Sequence, residues 1–411
     1  MRVAIQTLGT RGDVQPYVAL AKGLMARGHE VQLAGPTQYQ DLSGQHGVAY
    51  HGLPAEFLNL LETPEGKAAI AGGSGFSGGF KLLKHIRPMM RALFDAEWDG
   101  ARSFAPELIV YHPKSLASPY LAAELDVPML LASPLPGFTP TSAFPSPILP
   151  FASLGPLNRA SHWLMSGSAQ MMFGKDMRAW QREAMGRELK PRKAAGTLYA
   201  YSRHLIPVPS DWGDDVAVTG YWFLDQPEWQ PDAALTDFLA AGEKPIYVGF
   251  GSMPGLDPVE LSLTVAEALA VCGKRGVLLR GGGALADVGA AAGHVHVIDS
   301  APHEKLLPLM AAAIHHGGAG TTGAALRAGL PNAICPFFGD QPFWARRVAE
   351  LGAGPPALDR KSLSVASLSA AIRAMDDPTM RRRAADIGEA IREEDGVERA
   401  VAFIEKQARQ N

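Results

Sequence analysis

The chain is built around one stretch, His315-His316-Gly317-Gly318-Ala319-Gly320-Thr321-Thr322. Met310 to Ile314 is a short apolar run suited to a buried strand, and Thr321 to Ala328 reads as a helix that Gly329 closes and Pro331 forbids from continuing. A strand that passes through glycines into a helix leaves backbone N–H groups free at the turn, with the positive end of the helix dipole behind them. Such a turn is a phosphate site, and it needs a sheet with helices packed against it.

The remaining sequence repeats that unit. Val3 to Leu8 reads as a strand and Val14 to Arg27 as a helix, its apolar residues at helical spacing and Gly28 after it. Val31 to Ala34 is a further strand and Gln38 to His46 a short helix. Leu108 to Tyr111 and Met129 to Ala132 then read as strands flanking a helix at Leu116 to Glu124. A second series follows Ser210: strands at Pro245 to Phe250, Val277 to Leu279, Val295 to Ile298 and Ala333 to Pro336, with helices at Pro258 to Val271, Glu304 to Met310 and Gln341 to Leu351. At 411 residues the chain suits two domains. The expected fold is α/β, with two Rossmann-like doubly wound domains facing a cleft and ligands at the carboxyl ends of the strands. The expected division is 1–210, 211–380, and a helical segment from 381 onward.

Two inserts interrupt the first unit. One carries the glycine run Gly72 to Gly79, read as a loop, then Lys81, Lys84, His85, Arg87 and Arg91 on a helix. The other is the proline-rich run Pro134 to Pro156. It leads into Ser161 to Arg187, where methionines crowd beside aromatics and suit an adaptable apolar pocket or a helix packed on its own domain.

A net charge of −3 without a long basic run excludes a nucleic-acid footprint. Cys272 and Cys335 sit in apolar runs and read as small core residues. Met1 leads straight into a strand, without a signal peptide's pattern, and no run approaches a membrane span, so a cytoplasmic protein is expected. The basic cluster at Lys81 to Arg91 permits a peripheral membrane contact, against the alternative of a solvated helix face.

Three motifs fail on context. Gly249 to Gly255 misses the dinucleotide fingerprint by one residue and lacks the ribose acid, and Gly9-Thr10-Arg11-Gly12 fails likewise. Gly75-Phe76-Ser77-Gly78-Gly79 spells a nucleophile elbow, but no strand precedes it. Asp13 stands where the first helix begins, either as its N-cap or as a general base facing the cleft.

Taken together, Thr10-Arg11-Gly12-Asp13-Val14-Gln15-Pro16, Gly249-Phe250-Gly251-Ser252-Met253, His315 to Thr322 and Phe338-Gly339-Asp340-Gln341-Pro342-Phe343-Trp344 resemble nucleotide-sugar-dependent glycosyltransferases of the two-Rossmann (GT-B) type. The sterol 3-β-glucosyltransferase-like branch matches best. The resemblance implies that His315 contacts a donor diphosphate, with Gly317, Gly318, Gly320, Thr321 and Thr322 supplying further donors and Ser252 meeting it from the facing turn. It implies that Asp340 and Gln341 hold donor sugar hydroxyls, and that Ala301 lies in the base-binding loop. Where many relatives have tryptophan this chain has Ser300, and where many plant relatives carry a ribose-binding glutamate it has Gly323. Asp13 takes the place of the base, and His112 the place where relatives can carry its partner. The implied activity is inverting transfer of a hexose, glucose first, from a UDP-sugar co-substrate to a hydroxyl of a lipophilic acceptor such as a sterol, terpenoid, polyketide or flavonoid. No metal and no other cofactor is expected. A nucleotide-sugar epimerase and a catalytically inactive lipid-binding relative are the alternatives.

Overall fold

A computed structural model of the chain describes residues 1–56, 75–226, 228–253, 256–287 and 293–410, without the side chains of 75–85, 164–166 and 168–170. Two parallel sheets organise it. The first has seven strands in the order β3-β2-β1-β4-β5-β6-β7. These are β1 (Arg2–Gln6), β2 (Glu30–Pro36), β3 (Ala49–Leu53), β4 (Leu108–Tyr111), β5 (Met129–Ser133), β6 (Gly196–Tyr199) and β7 (Val216–Val218). The second has five, in the order β10-β9-β8-β11-β12: β8 (Ile246–Gly249), β9 (Gly276–Leu279), β10 (Val295–Ile298), β11 (Ala312–His315) and β12 (Asn332–Ile334). β1, β4 and β5 are buried almost throughout, as strands covered on both faces must be.

Each order reverses once, between β1 and β4 and between β8 and β11. Those switch points open crevices at the strands' carboxyl ends, where ligands of such sheets bind. The turn after β1 leads into α1 (Arg11–Ala26), and that after β4 into α4 (Ser118–Glu124). In the second sheet the turn after β8 leads towards α7 (Pro258–Val271), and that after β11 into α9 (Ala319–Arg327). Three of these turns, after β1, β8 and β11, carry motifs of the sequence, that after β4 carries His112, and the motif Phe338 to Trp344 follows β12.

Several expectations shift. The division at 210/211 falls inside the first domain, because β7 pairs with β6 in the first sheet; its three residues are too short a run to read between Asp215 and Thr219. The segment from 381 onward is two helices, α12 (Pro378–Arg392) and α13 (Gly396–Gln410). α12 packs on α9, while Ala400, Val401 and Ile404 of α13 enter the core around β1, beside Leu20 and Leu24 of α1. The long helix α3 (Gly75–Phe104) runs through glycines expected to form a loop; they cost about 1 kcal/mol each, and the buried Ile86, Met90, Leu93 and Phe94 further along anchor it. Gly72 to Ser74 lie outside the described residues. The crowded methionine segment is helix α5 (Asn158–Ala184), which buries Met177 and Trp180 but leaves Trp163 and Met171 mostly exposed. Both cysteines are free, Cys335 buried and Cys272 partly so. Among the described residues no helix is long and apolar enough to cross a membrane.

The domains meet through aromatic packing. Tyr199, Tyr201 and Tyr221 from the first share a cluster with Phe343 and Trp344 on α10 (Gln341–Glu350) of the second. Phe144, in the proline-rich insert, packs against Phe343 at 6.0 Å. Arg346 of the same helix donates to the carbonyls of Pro150 (3.2 Å) and Phe151 (3.0 Å).

Candidate active site

On the first domain, Thr10 caps α1 and Asp13 sits one turn inside it, so the carboxylate is not the N-cap. It still serves the helix start: Asp13 Oδ2 accepts the Thr10 backbone N–H at 2.8 Å and the Thr10 hydroxyl at 3.2 Å. Gly9, at φ +129°, brings the chain so close that a Cβ there would lie 2.1 Å from Asp13 Oδ2. The turn after β4 supplies the other half. Lys114 places its ammonium 2.8 Å from Asp13 Oδ1, and His112 Nε2 lies 3.5 Å from the same oxygen. His112 Nδ1 accepts the Lys114 backbone N–H at 3.1 Å, so its ring proton is on Nε2, facing the carboxylate.

Burial, the largest single influence, opposes a charge on Asp13, but the Lys114 cation and its hydrogen bond, the His112 ring and the Thr10 N–H together outweigh it and hold the carboxyl below its usual value. Burial takes the His112 imidazole down to about 3, so it is neutral at pH 7. Beneath this turn, Glu97 of α3 is fully buried and accepts a hydrogen bond from Ser115, whose hydroxyl also meets that of Ser118 at 2.6 Å. The loop that carries His112 and Lys114 is thereby pinned from below.

On the second domain, α9 starts at Gly318 with no side-chain cap. Gly317, at φ +90°, adopts a backbone that L side chains rarely reach, and a Cβ there would meet Ile334 at 2.6 Å. Gly318 and Thr321 are partly accessible and Gly320 exposed, so the helix presents its first N–H groups to the cleft. Thr322 is buried, its hydroxyl without a hydrogen-bond partner among the described residues.

The two imidazoles divide differently from the expectation. His315 is 0% exposed; its Nδ1 accepts the Gly317 N–H at 3.0 Å, and its Nε2 meets Asn332 Oδ1 at 2.8 Å. With both nitrogens engaged inside the fold it braces the turn and does not present an N–H to a diphosphate. His316, one residue on, is partly accessible and lies between the turns, its ring 2.8 Å from where a Cβ of Gly318 would be and 3.6 Å from that of Gly251. Ser252, partly accessible, follows Gly251 on that facing turn.

Asp340 and Gln341 begin α10. Asp340 Oδ2 accepts the Trp344 indole N–H at 2.6 Å, which aims the other oxygen. Burial pushes the Asp340 carboxyl above its usual value, and the charges of Asp13 and Lys114 reach it from the opposite domain. Gln341 is also committed internally: its Oε1 accepts the N–H groups of Phe337 (2.7 Å) and Phe338 (3.2 Å), and its Nε2 faces Met253 Sδ at 3.3 Å. It therefore shapes the loop before Asp340 and ties it to the turn after β8. Ala301 lies at the carboxyl end of β10, next to His303, whose Nε2 meets the Tyr247 hydroxyl at 3.0 Å. Gly323 is covered by the Tyr221 ring, 2.5 Å from where its Cβ would be, so the space a glutamate needs is filled.

The structure thus gathers Asp13, His112 and Asp340 around one cleft with the α9 turn. It adds Lys114, which no spacing in the sequence ties to Asp13, and His316, for whose ring Gly318 leaves room. Among the described members of the basic cluster, Arg87 pairs with Asp176, and Arg91 with Asp95 and Glu183. A cavity of about 630 Å³ lined by Lys244, Lys274, Asp376 and Arg381 lies at the opposite, amino-terminal ends of β8 and β11, where Asp376 pairs with Lys274 and Arg381 and Lys244 donates to the Pro308 carbonyl.

Comparison with known proteins agrees with this layout. Residues 3–139 match the glycosyltransferase family 28 N-terminal domain, and residues 275–397 the erythromycin biosynthesis protein CIII-like C-terminal domain. The chain is 36% identical over 427 residues to the O-mycaminosyltylonolide 6-deoxyallosyltransferase of Streptomyces fradiae, covering 99% of this chain and 98% of that protein. It is 34% identical to the sterol 3-beta-glucosyltransferase UGT80B1 of Arabidopsis thaliana over 98% of this chain and 67% of that one. It spans only 27% of the sterol 3-beta-glucosyltransferase of Cryptococcus neoformans, at 34% identity. Among solved structures, the glycotransferase of kitacinnamycin superposes with a TM-score of 0.72 at 19% identity, covering 99% of this chain and 98% of that one. VinC in complex with DTDP does so with a TM-score of 0.69 at 19% identity, covering 100% of both. With sequence in agreement over 98–99% of its length and the sheet order matching, the chain belongs to the glycosyltransferase family that includes the sterol 3-beta-glucosyltransferases and the Streptomyces fradiae deoxyallosyltransferase, and it has the GT-B fold.

Proposed function

We propose that this enzyme transfers a hexose, glucose first, from a UDP-sugar to a hydroxyl of a lipophilic acceptor such as a sterol or a polyketide, with inversion at the anomeric carbon. The observation that carries the reading is the placement of Asp13: an ionised carboxylate on one domain, facing Asp340 and the uncapped α9 terminus on the other. The relatives act on a macrolide and on sterols by their names, which supports an apolar acceptor.

In the proposed step Asp13 takes the proton of the acceptor hydroxyl. The acceptor oxygen bonds to the anomeric carbon as the bond from that carbon to the diphosphate oxygen breaks on the opposite face. The nucleoside diphosphate leaves with the electron pair. Its growing charge meets fixed donors: the N–H groups at the start of α9, the hydroxyls of Thr321 and Ser252, and the edge of His316. Asp340 accepts from sugar hydroxyls, which orients the anomeric carbon towards Asp13. The base is weak, so proton transfer runs late, as the acceptor oxygen acidifies on bonding to carbon.

The test is a screen of UDP- and dTDP-sugars against sterols and macrolides, read by mass and by the anomeric configuration of the product. Asp13→Asn should keep donor binding and lose about 100-fold or more in transfer. Near-normal turnover in that variant, or a product of retained configuration, rejects the mechanism. A peripheral membrane contact would rest on the exposed apolar Leu157, Trp163 and Met171, since Arg87 and Arg91, the described arginines of the basic cluster, are paired. Sedimentation with neutral and anionic vesicles tests it, and protein left in the supernatant with both rejects it.

A further inference from the structure

The carboxylate of Asp13 is ringed by donors. Oδ2 holds the Thr10 N–H and hydroxyl, while Oδ1 holds the Lys114 ammonium with His112 Nε2 behind it. Thr10 and Lys114 thus make three hydrogen bonds to the carboxylate and His112 Nε2 stands 3.5 Å from Oδ1, so an acceptor hydroxyl that bonds to Oδ1 competes with the Lys114 ammonium for it.

Three of these four groups are fixed. The Thr10 groups belong to the start of α1, and His112 is 5% exposed with its other nitrogen bound to the Lys114 backbone N–H. Lys114 differs: its side chain is 53% exposed, and the ammonium sits at the end of a flexible stem. It can leave Oδ1 without disturbing any packing. A second anion lies within its electrostatic range, because the Asp340 carboxylate already feels the Lys114 charge from the facing domain.

We propose that Lys114 is the exchangeable counter-ion of the transfer base, occupying Asp13 Oδ1 in the resting enzyme and giving that oxygen up to the acceptor hydroxyl. The inference rests on the reading of Asp13 as the base and adds how that base is switched from stored to active. No proton moves to or from Lys114. The acceptor's proton goes to Asp13 while the ammonium turns into the cleft, towards Asp340 and the side on which the donor diphosphate lies. The groups that face Asp13 are Lys114 and neutral His112 from the β4 turn, Tyr17 on its own helix and Asp340 across the cleft. Of these, Lys114 supplies the positive charge. It therefore does two opposed things: it keeps Asp13 ionised to lower pH, and it competes with the acceptor for the oxygen that does the work.

The experiment compares pH profiles of kcat and acceptor KM from pH 5 to 9 for the wild type, Lys114→Met, Lys114→Gln and Lys114→Arg, with Tm and donor affinity by calorimetry as controls. In the two neutral variants the acid limb should move to higher pH, lowering the ratio of the rate at pH 5 to that at pH 8 by about threefold or more. Acceptor KM at pH 8 should fall by about twofold or more, and Lys114→Arg should restore the wild-type limb. Acid limbs that superimpose on the wild type, with unchanged acceptor KM, overturn the inference. Asp13→Asn run alongside separates the two readings: if it turns over normally the base assignment falls, whereas if it is inactive and the Lys114 profiles do not move, only the counter-ion role falls.

Discussion

Glu97 should make the enzyme less stable as the pH rises, and its removal as an acid should reverse that. The residue is fully buried; one oxygen accepts from Ser115 and the other has no hydrogen-bond partner among the described residues. Burial raises its carboxyl to about 8, from an ordinary 4.5. The folded protein therefore keeps a proton that the unfolded chain loses above 4.5. Stability is unpenalised below that value, declines as the pH climbs towards 8, and levels off beyond it. At about 1.4 kcal/mol per pH unit, the penalty at pH 7 is about 3 kcal/mol. Glu97→Gln keeps the oxygen that accepts from Ser115 and cannot ionise. Its melting temperature should be near or below that of the wild type at pH 5 and should gain on it by about 6 to 12 °C by pH 7, using 2 to 4 °C per kcal/mol for a domain of this size. Differential scanning calorimetry at pH 5, 6, 7 and 8 measures that difference directly. A gap between the two proteins that stays constant with pH would show that Glu97 is ionised in the fold, refuting the reasoning.

Other outcomes follow from the cleft. Gly317→Ala forces a Cβ against Ile334 at 2.6 Å in a backbone of φ +90°, so donor affinity by calorimetry should drop about tenfold or more; an unchanged constant would separate the turn from donor binding. Trp344→Phe removes the indole that aims Asp340 and should raise donor KM about fivefold or more with little change in acceptor KM; equal effects on both would assign Trp344 to packing alone. Arg346→Ala cuts both bonds to the proline-rich insert and should raise acceptor KM more than donor KM, the reverse order contradicting the link.

The folding units were legible where an apolar run of strand or helix period is cut off by polar, proline or glycine residues. β4, β10 and α7 lie where periodicity and punctuation place them, as do the turns after β1, β8 and β11. What escaped was decided by contacts remote in sequence. β7 has three residues and exists because β6 gives it a partner. The helix through Gly75 to Gly79 contradicts local propensity and follows from the packing of Ile86 to Phe94. In the site, residue types and their order revealed Asp13, Asp340 and the α9 turn. Side-chain direction was hidden: nothing in His315-His316 says that the first ring turns inward to Asn332 while the second stays at the cleft. Lys114 was hidden for the same reason, since its pairing with Asp13 spans 101 residues and depends on β1 and β4 being neighbours.

The crossing of α13 onto the first domain has a consequence for how the protein is made. Gly23 of α1 lies directly beneath Val397 and Val401, Arg27 pairs with Glu398, and His29 Nε2 lies 3.1 Å from Glu405. During synthesis the face of α1 that carries Leu20 and Leu24 has no cover until residues 396–410 leave the ribosome, after the whole second domain has emerged. The amino-terminal domain thus starts first and finishes last. A nascent chain halted before Gly396 should expose that apolar face to chaperones, although every strand of its own sheet is already present.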